Sequence, residues 1–253
     1  MKKKLIIFIP SIEDGGLEKN LFTVSNYLIK KINNIEIITC NNDFKYKFNN
    51  KIKLVGTRNN FWNNCNKKIK YIVCLYILFK KLFRIKKEKV VVFAFQANIY
   101  TIIVSKIFNV KVITRSNTSP SGWSKNKIKL FFYKFFLKFA DDIMVNSKFF
   151  QKEFFKKFSI NTKCIYNPFD KNFIKKSLFK VKSDNFFGKK NLNLISVGRL
   201  TDQKDHITLL ESMRLINAEI KPKLIIIGKG KNYKKLDNYI KRHNLKKIVK
   251  LIG

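Results

Sequence analysis

The sequence is poor in acidic residues, histidine, proline, glycine and long apolar runs. Of its 253 residues only 16 are Asp or Glu against 54 Lys or Arg, a formal charge of +38. Two histidines argue against a histidine-rich metal site, and four scattered cysteines favour reduced thiols over a disulfide framework or a zinc site. The longest apolar run, residues 71–79, is far shorter than the roughly 20 residues of a membrane-spanning helix. With 45% hydrophobic residues, the chain is typical of a folded, soluble protein.

Lysine carries nearly all of the positive charge, with 48 lysines and only six arginines. A protein that reads nucleic-acid sequence favours arginine, whose planar fork pairs with guanine and phosphate. Lysine, Asn, Ile and Phe share AT-rich codons, so compositional drift explains much of the excess. A surface this basic is nevertheless attracted to anionic membranes, by about 1 kcal/mol per lysine near the surface. We therefore expect an anionic membrane surface as a partner, and nucleic acid only as a less favoured alternative.

Short apolar runs alternate with longer helical patterns, which predicts an α/β fold with parallel sheets. The start, MKKKLIIFIP, is predicted as a buried strand, because its apolar part is too short for a secretory signal. The predicted strands are 5–9, 35–40, 52–55, 90–95, 110–114, 143–146, 164–166, 192–197, 224–227 and 248–252; the predicted helices are 17–31, 67–87, 125–140, 148–158, 205–217 and 233–243. The polar stretch 169–190 is predicted as a linker between domains of residues 1–168 and 191–253.

Two of the predicted helices, 67–87 and 125–140, interleave lysines with apolar and aromatic residues. One interpretation is a helix that packs on the sheet and leaves its lysines in water. The other is a helix that lies on a membrane surface, with its aromatic face in the lipid and its lysines near the headgroups. The sequence leaves both interpretations open.

Glycine is scarce, so the places where it occurs are informative. Five of the nine glycines follow predicted strands, and these are Gly15, Gly16, Gly198, Gly228 and Gly230. Ligands of open α/β sheets bind at the carboxyl ends of the strands, where glycine allows close backbone approach. Ordinary tight turns would explain any one of them, but glycines in both halves of the chain predict a ligand cleft.

The stretch GRLTDQKDH, residues 198–206, is the most informative motif. It ends a predicted strand with Gly198 and supplies Arg199, and Lys204 follows just before a helix that Asp205 can cap. The N-terminus of a helix offers unpaired N–H groups and a partial positive charge. Together with the two cations, it predicts a phosphate or diphosphate site, although solvated surface charge is the plain alternative.

This stretch, continued as ISVGRLTDQKDHITLL, resembles the nucleotide-sugar loop of the retaining glycosyltransferases of family 4, also called group 1. IPSIEDGGLEKN, IYNPFD and LIIIGKG resemble other parts of that family, in the expected order along the chain. The resemblance implies the GT-B architecture, with two Rossmann-like domains that face a cleft. It further implies transfer of a sugar from a nucleotide diphosphate donor, of UDP or GDP type, without a metal or another cofactor.

The resemblance also implies roles for individual residues. Arg199 and Lys204 would contact the donor diphosphate and stabilise the charge that grows on the leaving group. Gly16 would allow a backbone N–H group to approach the phosphates. The weaker candidates are Gly15, Glu18, Arg115, Asn117, Gly198, Gly228 and Gly230. Glu18 has a plain alternative as an acidic residue that favours a helix N-terminus.

The chain departs from the family pattern in two respects. Many members carry a histidine after the strand equivalent to 90–95, where this chain has Gln96 and Asn98. The family's E-x7-E segment, whose glutamates contact the sugar and the ribose, is not in the sequence, so the catalytic residues stay unassigned and the second domain is expected to be incomplete. Arg115-Ser116-Asn117 resembles the R-x-N of members with lipid-linked acceptors.

Three functions therefore stay open. The first is a cytoplasmic transferase, peripheral on the inner face of the membrane, that acts on a lipid-linked or cell-envelope saccharide. The second is a truncated, non-catalytic remnant or membrane-associated partner that retains the N-terminal domain. The third is a basic nucleic-acid-binding module.

Overall fold

The computed structural model describes residues 4–13, 15–41, 43–56, 61–62, 65–85, 90–123, 126–169, 175, 186–188, 191–216 and 218–253. The chain divides into two compact units, Met1–Lys171 and Asn172–Gly253, and each has its own parallel sheet. Most of the predicted linker, 169–190, lies outside the described residues.

The first unit is a doubly wound sheet flanked by helices. Its strands are β1 (Lys4–Phe8), β2 (Asn34–Ile38), β3 (Lys53–Val55), β4 (Val90–Ala94), β5 (Lys111–Ser116), β6 (Asp142–Val145) and β7 (Lys163–Cys164). Its helices are α1 (Gly16–Leu28), α2 (Lys67–Arg84), α3 (Asn98–Ile107), α4 (Lys127–Leu137) and α5 (Lys148–Phe158). The strands pair in parallel in the order β3-β2-β1-β4-β5-β6-β7. The direction of strand addition reverses between β1 and β4, and in such folds ligands bind at the carboxyl ends of the strands near this point.

The alternation of side chains along β1 explains why this strand is central. Leu5 and Ile7 belong to the hydrophobic core on one face of the sheet, with Leu21 of α1. Ile6 and Phe8 belong to the core on the other face, where α2, α3, α4 and α5 also contribute buried side chains. A strand buried on both faces reads as a continuous apolar run rather than as alternating polar and apolar residues.

Within the described residues, the second unit has three strands and two α-helices of ten residues each. The strands are β8 (Leu192–Val197), β9 (Pro222–Ile227) and β10 (Val249–Ile252), and the helices are α6 (His206–Leu215) and α7 (Tyr233–Arg242). The strands pair in parallel in the order β10-β9-β8, one half of a Rossmann-like sheet. Leu210, Leu236 and other apolar side chains fill its core on one face, whereas Ile195 and Val197 of β8 are 61% and 74% exposed.

Every predicted strand is present in the described part of the chain, and three predictions need correction. Residues 98–107 form α3, a helix that the sequence analysis did not predict. The strand predicted at 164–166 ends at Cys164. The helix predicted from Asp205 begins at His206, because Asp205 is its N-cap. The remaining helices keep their predicted places, with ends that differ by a few residues.

Candidate functional site

The sequence-predicted residues all lie at the carboxyl ends of strands, in the loops that follow them, or in the first turn of the next helix. Gly15, Gly16 and Glu18 follow β1. Arg115 is the next-to-last residue of β5, and Asn117 lies just beyond that strand. Gly198, Arg199 and Lys204 follow β8, and Gly228 and Gly230 follow β9. They form two groups, one in each unit. Since the roles assigned to them come from a resemblance, those roles stay predictions, and the geometry below shows what each residue contacts.

The loop after β8 presents two cations beside a helix start. Arg199 and Lys204 are both exposed, and neither forms an ion pair with a carboxylate in the described part of the chain. Lys204 runs back along Gly198, because a Cβ at Gly198 would lie 3.6 Å from Cγ, Cδ and Cε of that lysine. Asp205 caps α6: its Oδ1 accepts from the Thr208 N–H at 3.4 Å, and its Oδ2 accepts from the Thr208 hydroxyl at 2.9 Å. The predicted cap is therefore confirmed, and the chain places the cations just before it.

An acidic side chain fixes the middle of the same loop. Asp202 accepts hydrogen bonds from Lys231 Nζ at 2.5 Å and from Asn232 Nδ2 at 2.8 Å. These bonds, that of Lys231 above all, lower the pKa of Asp202 to about 2. Since both partners stand just before α7, Asp202 ties the loop after β8 to the loop after β9. The charge of Asp202 is thus balanced within the protein by Lys231.

Gly228 and Gly230 allow the two loops of the second unit to pack directly on each other. A Cβ at Gly228 would lie 1.9 Å from the Gly198 carbonyl oxygen, and a Cβ at Gly230 would lie 2.4 Å from that of Leu200. Gly230 also has φ +157°, which disfavours a side chain. Contacts within the protein therefore account for both glycines without a ligand.

In the first unit, Gly15 and the side chain of Glu18 lie close together just after β1. Gly15 is the N-cap of α1 and provides no side-chain cap. The buried Glu18 carboxylate accepts from the Glu13 N–H at 3.4 Å, and burial raises its pKa. A Cβ at Gly15 would lie 2.7 Å from Glu18 Oε2, whereas a Cβ at Gly16 would meet nothing within 4 Å. Gly16 therefore faces open space, as approach of a ligand to its backbone requires.

Gln96 joins the loop after β4 to the loop after β1. Its Nε2 donates to the Ser11 carbonyl at 2.8 Å, and its Oε1 accepts from the Ser11 N–H at 3.2 Å. Both hydrogen-bonding groups of one carboxamide are thus used by one residue 85 positions away. Gln96 therefore holds the two loops together at the switch point of the sheet.

Arg115 is buried at the end of β5, with an exposure of 3%. Its Nε donates to Asn117 Oδ1 at 3.2 Å, and its Nη2 donates to the Ile165 carbonyl at 3.3 Å and to Asn167 Oδ1 at 2.8 Å. Burial lowers its pKa. All of these acceptors are neutral, so the charge of this guanidinium is not balanced by an ion pair with any described residue.

This network also explains the early end of β7. The Ile165 N–H still donates to the Val145 carbonyl at 2.8 Å, but the Ile165 carbonyl turns to Arg115. Sequence reasoning missed Asn167 as the partner of the arginine. The only available signal was its place in IYNPFD, which the resemblance assigned to the entry of the linker.

The described residues contain no group of three or more His, Cys, Asp or Glu side chains placed to hold a metal ion. None of the helices in the same residues combines the length and apolar character that crossing a bilayer requires.

Residues 179–253 match the family model described as glycosyl transferases group 1. An uncharacterized glycosyltransferase of Methanocaldococcus jannaschii is 29% identical in an alignment 172 positions long, which covers 60% of this chain and 41% of that protein. N-acetylgalactosamine-N,N'-diacetylbacillosaminyl-diphospho-undecaprenol 4-alpha-N-acetylgalactosaminyltransferase of Campylobacter jejuni is 28% identical in an alignment 263 positions long, gaps included, which covers 99% of this chain and 69% of that protein. The chain thus spans less than half of the first relative and about two thirds of the second.

The crystal structure of Anabaena HepE in complex with UDP and glucose is similar to this chain, with a TM-score of 0.70 and 16% identity. The similarity covers 99% of this chain and 69% of HepE. The chain therefore has the α/β GT-B fold that the sequence predicted. In sequence, residues 179–253 are similar to the group 1 glycosyl transferases, and the two relatives above are named as glycosyltransferases.

Proposed function

We propose that this chain is part of a glycosyltransferase that moves a sugar from a nucleotide diphosphate donor to a lipid-linked or cell-envelope saccharide. Transfer proceeds with retention, without a bound metal ion, on the inner face of the cytoplasmic membrane. The observation that carries the proposal is the loop after β8, in which two exposed cations without ion-pair partners in the described chain precede a capped helix N-terminus. The UDP in the similar HepE structure and the undecaprenol-linked substrate in the name of the Campylobacter relative support the donor and acceptor classes.

The chemistry assigned to this loop is stabilisation of the leaving group. As the bond between sugar and phosphate breaks, negative charge grows on the departing nucleoside diphosphate. Arg199 donates from a planar fork suited to phosphate oxygens, and Lys204 adds a point charge. Both act together with the N–H groups at the start of α6, and together they supply charge that other transferases take from a metal ion.

Nucleotide binding in the presence of EDTA tests this proposal. We expect UDP or GDP to bind the 253-residue chain with 1:1 stoichiometry in calorimetry, and the nucleoside without phosphates to bind at least tenfold more weakly. EDTA should leave the affinity unchanged, because the positive charge of the site belongs to the protein. Failure of both diphosphates to bind, or binding only with added Mg²⁺, would contradict the proposed donor site.

The membrane side of the proposal comes from α2 and α4. In α2 the buried residues form one stripe, while Ile72, Tyr76 and Phe83 on other faces are 68%, 59% and 75% exposed. In α4 only Leu137 is buried, and Phe131 and Phe135 are 66% and 48% exposed. Exposed aromatic side chains among lysines are typical of helices that lie in the headgroup region. The two interpretations of α2, a helix packed on the sheet and a helix on a membrane surface, are therefore compatible, because α2 packs on the sheet and still exposes an aromatic face.

The same surface favours the second candidate function, a non-catalytic membrane-associated partner.

Co-sedimentation with vesicles tests the membrane surface. We expect strong binding to vesicles that contain anionic lipid at low salt, weaker binding as salt screens the lysines, and slight binding to neutral vesicles. The variant Phe131→Ser/Phe135→Ser should reduce binding about tenfold, because two apolar contacts with the interface are lost. Tyr27→Ser, at an exposed aromatic residue of α1, is the control and should bind as the parent chain does. Equal partition to neutral and anionic vesicles would exclude the proposed surface.

A further inference from the structure

A cavity of about 990 Å³ lies in the first unit between α3 and α4. This volume is at the upper end of the range for small-molecule sites, about 300–1,000 Å³. Most of its lining is apolar and comes from facing sides of the two helices, with Ile99, Tyr100 and Ile103 from α3 and Ile128, Phe132 and Phe136 from α4. The apolar lining suits a hydrocarbon.

One end of the cavity is polar and positively charged. Arg115 lines it, and its buried guanidinium contacts only neutral acceptors among the described residues. Asn98 lines it too: its Nδ2 donates to the Arg115 carbonyl at 3.0 Å, while its Oδ1 is buried without a hydrogen-bond partner in the described chain. No carboxylate is among the lining residues. A ligand that brings an anionic group and a hydrogen-bond donor would complete this end.

The apolar end of the cavity reaches the surface. Tyr100, Ile128 and Phe132 line it and are 58%, 69% and 53% exposed. Phe131 and Phe135 lie on the same helix but do not line it. The cavity therefore opens beside the surface that we propose to face the membrane, and its polar end lies at the carboxyl end of β5.

We infer that this cavity holds one hydrocarbon chain of the lipid that carries the acceptor, with the lipid phosphate at Arg115. The inference rests on the proposed function, which supplies a lipid-linked acceptor and a membrane to draw it from. Charge and polarity favour this ligand, because an anionic head matches the end of the cavity at Arg115 and an apolar chain matches the other end. A hydrocarbon chain bound between α3 and α4 would place the head of the lipid at the carboxyl ends of the strands, near Gln96 and Gly16.

A soluble prenyl phosphate separates this site from general attraction to membranes. We expect farnesyl phosphate, studied by calorimetry below its micelle concentration, to bind the chain at least tenfold more tightly than inorganic phosphate or farnesol. Ile103→Trp fills the cavity and should weaken that binding at least tenfold. Phe131→Ser/Phe135→Ser should bind farnesyl phosphate as the parent chain does, although its vesicle binding is weakened. A second variant, Phe132→Glu, alters an exposed part of the lining and should weaken binding even if Ile103→Trp fails to fold.

Several outcomes would overturn the inference. Affinity for farnesyl phosphate that is no higher than for inorganic phosphate would remove the hydrocarbon site. Unchanged affinity in Phe132→Glu and in a folded Ile103→Trp would place the probe elsewhere. An equal loss in Phe131→Ser/Phe135→Ser would assign the probe to the exposed surface instead. UDP binding, measured on the same samples, tests the donor site separately. The farnesyl phosphate result can therefore be interpreted even if the proposed donor site is wrong.

Discussion

Arg199→Ala and Lys204→Ala should each lower turnover by about 10²–10³ in an active transferase that contains this chain. Each substitution removes one cation from a site where negative charge grows in the transition state, and loss of such a partner costs roughly 3–4 kcal/mol of transition-state stabilisation. Both side chains are exposed and have no carboxylate partner in the described residues, so their removal should leave the fold intact. Steady-state turnover and the affinity for UDP or GDP are the measurements.

The matched control is Lys223→Ala, which removes an equal charge from the second unit. Lys223 lies near the start of β9, at the opposite end of the sheet, and its Nζ donates to the Lys247 carbonyl at 2.5 Å. We expect turnover and nucleotide affinity within about twofold of the parent. If Lys223→Ala were as damaging as Lys204→Ala, general attraction between a basic protein and a polyanion would explain the effect, and the assigned diphosphate site would be wrong.

Gly228→Ala should lower the free energy of unfolding of the second unit by roughly 3–5 kcal/mol, because the added methyl group clashes severely with the backbone. The added Cβ would lie 1.9 Å from the Gly198 carbonyl oxygen, and this contact is with backbone that cannot rotate away. Gly228 is itself held by its N–H, which donates to the Ile252 carbonyl at 2.8 Å. Denaturant unfolding and amide exchange of the β8 and β9 residues would report the loss.

Two other glycines provide controls for this prediction. Gly198→Ala adds a Cβ at ordinary distance, 3.6 Å, from the flexible Lys204 side chain, and Gly16→Ala meets nothing within 4 Å. Both should change the free energy of unfolding by less than about 1 kcal/mol. A stable Gly228→Ala protein would show that the loops after β8 and β9 are not as closely packed as described.

The alternation of strands and helices was predictable because most elements carry a clear apolar pattern, a short continuous run in β1 and apolar residues between lysines in α2. The helix α3 was missed for a physical reason. Its buried face consists of Thr101, Ile102 and Ser105, so small polar residues occupy positions that an apolar pattern would need. Its N-cap, Ala97, has φ +52° and provides no side-chain cap, which removes the usual sign of a helix start.

The candidate site was predictable in its positions but only partly in its contacts. The sequence placed Arg199 and Lys204 before a helix that Asp205 caps, because strand, glycine and cap residues follow one another within nine positions. It could not show that Arg115 contacts Asn167, or that Gln96 bonds to Ser11, because those partners are 52 and 85 residues apart. The spacing of Cys40 and Cys74 in the sequence likewise gives no sign that they are in contact, yet their Sγ atoms lie 3.4 Å apart in the core. Contacts of this kind depend on strand order, which local sequence patterns do not encode.

The link between Gln96 and Ser11 contains no group that titrates near neutrality. The carboxamide of Gln96 does not titrate, so both of its hydrogen bonds persist across the pH range in which an imidazole, with a pKa of about 6.5, changes charge. A pH-dependent change in this loop would therefore come from the Glu18 carboxylate, whose pKa burial raises, rather than from the link itself.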